Sequence, residues 1–187
     1  MKKIIVVLIL STIGFTSCIK VEEDIKKIKI AEQFYDALNT SEKAKIEKLI
    51  TSKFTTIDDG FEQIYSQGEF AEWMRWDSVF EPTYEVLEIE INNGVVKTKI
   101  SKTDKRISFL HNEPIVTEEV MQFDKNKIMN VNRNSIVFDV PRFVKNRDEL
   151  IIWIRNNHPD LDGFINNQTE SGGLNYLKAI ELYKNKD

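Results

Sequence analysis

Residues 84–95 read YEVLEIEINNGV, and the fold turns on them. Tyr84 and Val86 share one parity, while Leu87, Ile89 and Ile91 share the other. Side chains alternate faces along a strand, so the change of phase implies one extra residue near Val86–Leu87, a β-bulge that bends the strand. Asn93-Gly94 then supplies two residues that tolerate positive φ, the strongest short hairpin signal. Val95 to Phe109 is expected as the long return strand. Ile115–Phe123 and Ile128–Phe138 form a second hairpin across Asp124-Lys125-Asn126-Lys127. These strands make a bent antiparallel sheet.

Upstream the period changes from two to three and four. Ile25, Ile28, Ala31, Phe34, Tyr35 and Leu38 mark one face of a long helix over Glu22–Leu38. Asn39-Thr40 ends it. Thr40 or Ser41 caps a second helix with Ala44, Ile46, Leu49 and Ile50 on its face. Phe54–Ile57 reads as a short strand closed by the turn residues Asp58-Asp59-Gly60. Glu69–Phe80 is a third helix, with Phe70, Trp73, Met74 and Trp76 on or near its buried side. Helical spacing returns after Pro141. Leu150, Ile151, Trp153 and Ile154 precede His158-Pro159, Leu161 and Phe164 give a short helix, and Leu174, Leu177, Ile180 and Tyr183 give a last one. The expected class is α+β: a cone-shaped bent antiparallel sheet packed on N-terminal helices, with a C-terminal helical extension.

The N-terminal end has a different character. Lys2-Lys3 is followed by the apolar run Ile4–Phe15 and then by Thr16-Ser17-Cys18. The run is shorter than the roughly 20 residues that span a bilayer. Cys18 is the only cysteine. The order resembles the lipobox of bacterial lipoproteins, with Phe15 where Leu is usual. That resemblance implies a lipid on Cys18, which becomes the first residue of the mature chain. Ile19 rather than Asp follows, which implies an outer-membrane lipoprotein on the periplasmic face or the cell surface. Lys20-Val21-Glu22-Glu23-Asp24 resembles an acidic surface-display tag and reads equally well as a charged helix start. The expected organisation is a signal peptide at 1–17, a tether at 18–24, the cone domain at 25–140, and the extension at 141–187, packed on the same domain.

Removing 17 residues from 187 leaves 170, which suits one domain with an ordinary core. Hydrophobic residues at 41% and charged residues at 30% indicate a globular chain. The formal charge is −4, and losing Lys2 and Lys3 brings it to −6. An acidic domain lacks the basic face that nucleic acid requires. With Cys18 lipidated, no thiol remains for a disulfide, a metal or nucleophilic catalysis.

Two stretches carry a wider likeness. One runs from Phe34-Tyr35-Asp36-Ala37-Leu38-Asn39 through Lys48-Leu49-Ile50 to Phe54. The other is Glu118-Glu119-Val120-Met121-Gln122-Phe123-Asp124, with Ile128 after the turn. With the order of elements over about Glu22–Val137, they resemble the nuclear transport factor 2-like superfamily. This is the cystatin-like cone, which includes SnoaL-like proteins and ketosteroid isomerase. The resemblance implies an interior pocket lined by Phe34, Tyr35, Leu38, Glu119, Met121, Val131 and Arg133. It does not decide function, because the cone serves enzymes and binding modules alike. Compared with the isomerase, the catalytic base falls on Asp58 and the acid on Glu119. The tyrosine falls on Phe34, which has no hydroxyl, and Tyr35 is turned about 100° away on the helix.

Glu119 also stands out without the resemblance. It shares parity with Ile115, Thr117, Met121 and Phe123, so it is expected to point into the cone. Met129, Val131 and Arg133 share a parity on the next strand, which makes Arg133 the natural partner. A paired Glu119 is structural or orients a ligand; a lone one would serve as a proton donor, with Asp58 as base. Asp58-Asp59-Gly60 otherwise reads as a plain turn, and Trp73, Trp76 and Trp153 as core. His111 and His158 lie far apart in sequence, outside any ligand-spaced cluster, so no metal is expected. Neither a glycine-rich phosphate loop nor a GxSxG elbow occurs, and no cofactor is expected.

The leading expectation is a lipid-anchored envelope protein with a non-catalytic cone-fold domain, binding a small apolar or amphipathic ligand or a partner protein. The alternatives are a SnoaL-like or isomerase-like enzyme using Asp58 and Glu119, and a structural accessory of an envelope complex. The expected partners are the membrane, through Cys18, and that ligand or envelope protein; a homodimer stays open. Cys18→Ala should abolish both membrane association and labelling of cells by a palmitate analogue. Persistence of both would overturn the lipoprotein reading.

Overall fold

The computed structural model describes residues 2–186, with side chains described over 21–186. The expected leader at 1–17 and the side chain of Cys18 lie outside the latter range. Among the described residues no helix is long and apolar enough to cross a membrane. Helix α1 (Lys2–Thr40) is followed by α2 (Lys43–Leu49), β1 (Ile50–Asp58) and β2 (Phe61–Ser66). Then come α3 (Gln67–Ser78), β3 (Thr83–Asn92), β4 (Val95–Thr103) and α4 (Lys105–Leu110). Strands β5 (Ile115–Asp124) and β6 (Lys127–Val137) complete the sheet. Helix α5 (Val140–Asn157), two short 3₁₀ turns and α6 (Glu170–Lys184) close the chain. The six strands run in the order β2-β1-β6-β5-β4-β3. Among the described residues only the β1–β6 pair is parallel.

The bend arises where the alternation fails. Val86 pairs Ile100 and Glu88 pairs Lys99, so Leu87 is the extra residue of the expected bulge. Asn93 and Gly94 both take positive φ, as a two-residue turn between right-twisted strands demands. A second bulge skips Met129, because Gln122 pairs Asn130 and Phe123 pairs Ile128. Met129 therefore leaves the inner face, where parity with Val131 had put it. Helix α1 lies across the concave side. Ala31, Phe34, Tyr35 and Leu38 pack against Phe54, Phe70, Ile100, Met121 and Val131 in the main core. Val21–Asp24, expected as part of a tether, are helical and continue α1.

Three local expectations are corrected. The strand after Phe54 does not stop at the turn: Asp59 and Gly60, both at positive φ, join β1 to β2 in a hairpin. Strand β2 is an edge strand with Phe61 and Ile64 exposed, so it carries no buried alternation to read. The return strand ends at Thr103 rather than Phe109. The Asp104 carboxylate accepts the Ile107 amide and starts α4. Leu174 is exposed, because α6 buries Tyr176, Ala179 and Ile180 instead.

Helices α5 and α6 form a second core with the cone. Leu150, Ile154, Phe164, Tyr176 and Ile180 meet Trp76 and Phe80 near the end of α3 and Leu110 of α4. Gly172 permits the entry into α6, since a Cβ there would lie 2.1 Å from the Asn167 carbonyl oxygen. Leu38, fully enclosed on α1, reports on the main core. Leu38→Ala should destabilise the protein by about 2–5 kcal/mol in chemical denaturation. A loss well under about 1 kcal/mol would mean that α1 is not part of the core.

Candidate functional site

A cavity of about 310 Å³ opens between α3, α4 and the concave face of the sheet. Its apolar walls come from Tyr65, Phe70, Trp73, Trp76, Tyr84 and Ile100. Each end is polar. Gln168, in the loop before α6, also reaches the lining, so the C-terminal extension contributes to the enclosure.

One polar end is built on Glu119, which is 3% exposed. Across the β5–β6 pair it sits opposite Arg133. Arg133 Nε donates to Glu119 Oε2 at 3.1 Å, and Arg133 Nη1 donates to Asp58 Oδ1 at 3.1 Å. Tyr35 donates its hydroxyl proton to Glu119 Oε2 at 3.0 Å and lies 2.8 Å from Thr98 Oγ1. Thr117 Oγ1 donates to Glu119 Oε1 at 2.9 Å. Burial, then the Glu119 charge, push the Tyr35 hydroxyl well above its ordinary range. Burial opposes the Arg133 charge, but Glu119 and Asp58 hold the guanidinium above its ordinary range.

The other end combines α3, β3, β4 and α4. Lys102 Nζ donates to Asp77 Oδ1 at 2.7 Å, and the Tyr84 hydroxyl donates to Asp77 Oδ2 at 2.6 Å. Arg106 Nη2 lies 3.4 Å from Asp104 Oδ2. The cations rest on aromatic faces: Lys102 over Tyr84 at 4.7 Å and Arg106 over Trp76 at 4.8 Å. Burial works against ionisation of Asp77, yet Lys102 and Arg106 hold its carboxyl below the usual range. Lys102 also moves down, because burial and the adjacent Arg106 outweigh the pull of Asp77. Burial, then the Asp77 charge, raise the Tyr84 hydroxyl well above its ordinary range.

Of the residues expected to line a pocket, Glu119 and Arg133 do so. Phe34, Leu38, Met121 and Val131 do not. Helix α1 and the sheet close on each other there, and these side chains fill the core between them. Tyr35 is likewise buried in that core, but its hydroxyl reaches through to Glu119. The 100° offset from Phe34 thus turns Tyr35 toward the sheet's polar group rather than away from it. Asp58 is the last residue of β1 and lines the cavity, while the turn role belongs to Asp59 and Gly60. Asp59 accepts from the Ser135 amide and hydroxyl. Trp73 and Trp76 line the cavity as well as packing in the cores. His111 is a structural group: its Nε2 accepts the Asp139 amide, so Nδ1 donates to the Glu113 carbonyl. Among the described residues no group of three or more His, Cys, Asp and Glu is placed to hold a metal ion.

Sequence reasoning missed Lys102 and Arg106. A signal for Lys102 was present, because it shares parity with Val96, Thr98 and Ile100, all of which are buried. Arg106 had none, since its place depends on α4. Arg133→Met should destabilise the protein by about 3–5 kcal/mol, because it leaves Glu119 buried without its cation. Adding Glu119→Gln should recover much of that loss. Strictly additive effects in the denaturation cycle would show that the two side chains do not meet.

No protein-family model matches the chain, and no curated protein matches it by sequence. Solved structures do. A protein from a soil-derived mobile gene cassette superposes with a TM-score of 0.55 at 12% identity, over 66% of this chain and 98% of its own. An epoxide hydrolase of M. tuberculosis, described as LEH-like, gives 0.52 at 16% identity, over 70% of this chain and 98% of its own. A protein of unknown function with a cystatin-like fold from Methylobium petroleophilum gives 0.51 at 13% identity, over 61% and 78%. A likeness at this level between proteins so distant in sequence is one of fold: with its long helix across a six-stranded curved sheet, the chain has a cystatin-like cone fold.

Proposed function

We propose that this chain is a lipid-anchored envelope protein whose cone binds a small amphipathic ligand without converting it. The anchor rests on the lipobox-like order ending at Cys18. The ligand rests on the cavity. Its volume of about 310 Å³ lies at the small end of the range for small-molecule sites. Aromatic walls with a few convergent polar groups suit an apolar body that carries a polar end. A filled cone would favour a purely structural accessory, and this cone is open.

The observation that carries the non-catalytic reading is the engagement of Glu119. Both carboxylate oxygens already accept, from Thr117 on one side and from Tyr35 and Arg133 on the other. The enzyme reading gives Glu119 the role of proton donor, which needs a carboxyl oxygen free to aim at the substrate, and both oxygens here are engaged by protein donors. One observation favours the enzyme reading: Asp58 and the Tyr35–Glu119 pair converge on Arg133, and the half-exposed Asp58 carboxylate is the less engaged acid.

Native mass spectrometry of the full chain released gently from detergent separates the readings. A binding module should carry a small molecule whose mass is unchanged after prolonged incubation. Conversion of the bound molecule to a new mass would support the enzyme. Bare protein in every preparation, with no adduct after exposure to amphipathic probes, would sink the ligand reading.

A further inference from the structure

The two polar ends of the cavity offer opposite chemistry. At the Glu119 end every Arg133 donation described goes to an acid, and Asp58 brings a second carboxylate. At the other end the acids lie behind the wall and the cations form it: Lys102 and Arg106 line the cavity, whereas Asp77 and Asp104 do not. All four carboxylate oxygens there have partners. Asp77 accepts from Lys102 and Tyr84, and Asp104 accepts from the Ile107 amide and faces Arg106. The donors are not used up. Among the described residues Arg106 donates one hydrogen bond, from Nη2 to Asp104, and of the three ammonium protons of Lys102 one is spent on Asp77. Both cations line the cavity with 18% of each side chain exposed, so their unused donors can take an acceptor from outside the chain.

We infer that the cavity takes a flat apolar acid, its single carboxylate held by Arg106 and Lys102 and its body lying along Trp73 and Trp76. The inference rests on the ligand-binding reading above and narrows it to a chemical class. A single negative charge suits the site because Asp77 and Asp104 already balance the two cations, and a dianion would meet them at close range. The planar fork of Arg106, stacked on Trp76, is preorganised for a carboxylate. A bound anion would also offset the burial that draws the Lys102 ammonium down.

The test is isothermal titration calorimetry on the full chain in detergent, with naphthoate and its neutral analogue naphthamide as probes. Naphthoate should bind at least about tenfold more tightly, since a hydrogen bond to a charged group is worth roughly that much more than a neutral one. Arg106→Gln alone would leave Asp104 with only the more distant Lys102, 3.9 Å away, so it is paired with Asp104→Asn, which keeps a capping side chain for α4. The double variant should lose most of the preference for naphthoate over naphthamide. Arg106→Lys keeps the charge but removes the planar fork, and should fall between the two. Equal affinity of the two probes for the unaltered protein would overturn the carboxylate inference and leave the binding reading standing. So would a preference that survives in the double variant. Failure of both probes to bind would overturn the inference together with the reading beneath it.

Discussion

Tyr35 carries a hydroxyl from near the C-terminal end of α1 into the sheet, where the residue is 2% exposed and water cannot serve it. A buried polar group without a partner is expensive, so the sheet must bring partners to it. Thr98 of β4 and Glu119 of β5 do so. Glu119 then needs a cation, which β6 supplies as Arg133, and Arg133 reaches Asp58 of β1. One hydroxyl thus links the helix to four strands. The linkage also guards register. Slipping β5 by one residue would turn Glu119 out of the cone and leave Arg133 and Tyr35 unmatched. Buried ion pairs add little net stability by themselves, but losing one member leaves a stranded charge.

Helix α3 organises the remainder. Its start is held by a reciprocal cap, with Ser66 and Glu69 each satisfying the other's backbone amide. Phe70 and Met74 face the cone's core, and Trp76 faces the core shared with α5 and α6. Asp77, at its end, is buried between Tyr84 and Lys102. The helix therefore belongs to two cores and to one wall of the cavity. The C-terminal extension is coupled to the site through it, and again through Gln168. Closure at this side comes from α4 and the extension rather than from α1, which explains why the cavity lies away from Phe34 and Leu38.

Much of the fold was legible because it rests on local rules. The three-and-four spacing from Ile25 to Leu38, the phase change at Val86–Leu87, and Asn93-Gly94 each state their geometry in a few residues. The hairpin of β5 and β6 and the pairing of Glu119 with Arg133 followed from parity. Strand β2 and helix α4 were not legible. Strand β2 is short, lies at the edge and exposes its apolar residues, so burial left no pattern in it. Helix α4 is six residues long and continues a run that alternates like a strand until Asp104 caps it.

By itself the sequence determined the class of fold, the bent sheet, the long first helix and the inward acid with its cation, because periodicity and turn chemistry act over a few neighbouring residues. Tertiary structure alone decided where the empty space lies. Whether an aromatic ring fills a core or lines a cavity depends on which distant elements close over it, and no local pattern records that. The same holds for Lys102, Arg106 and Asp77. They come from β4, α4 and α3, and only packing makes them neighbours, with the two cations on the cavity wall and the acids behind it.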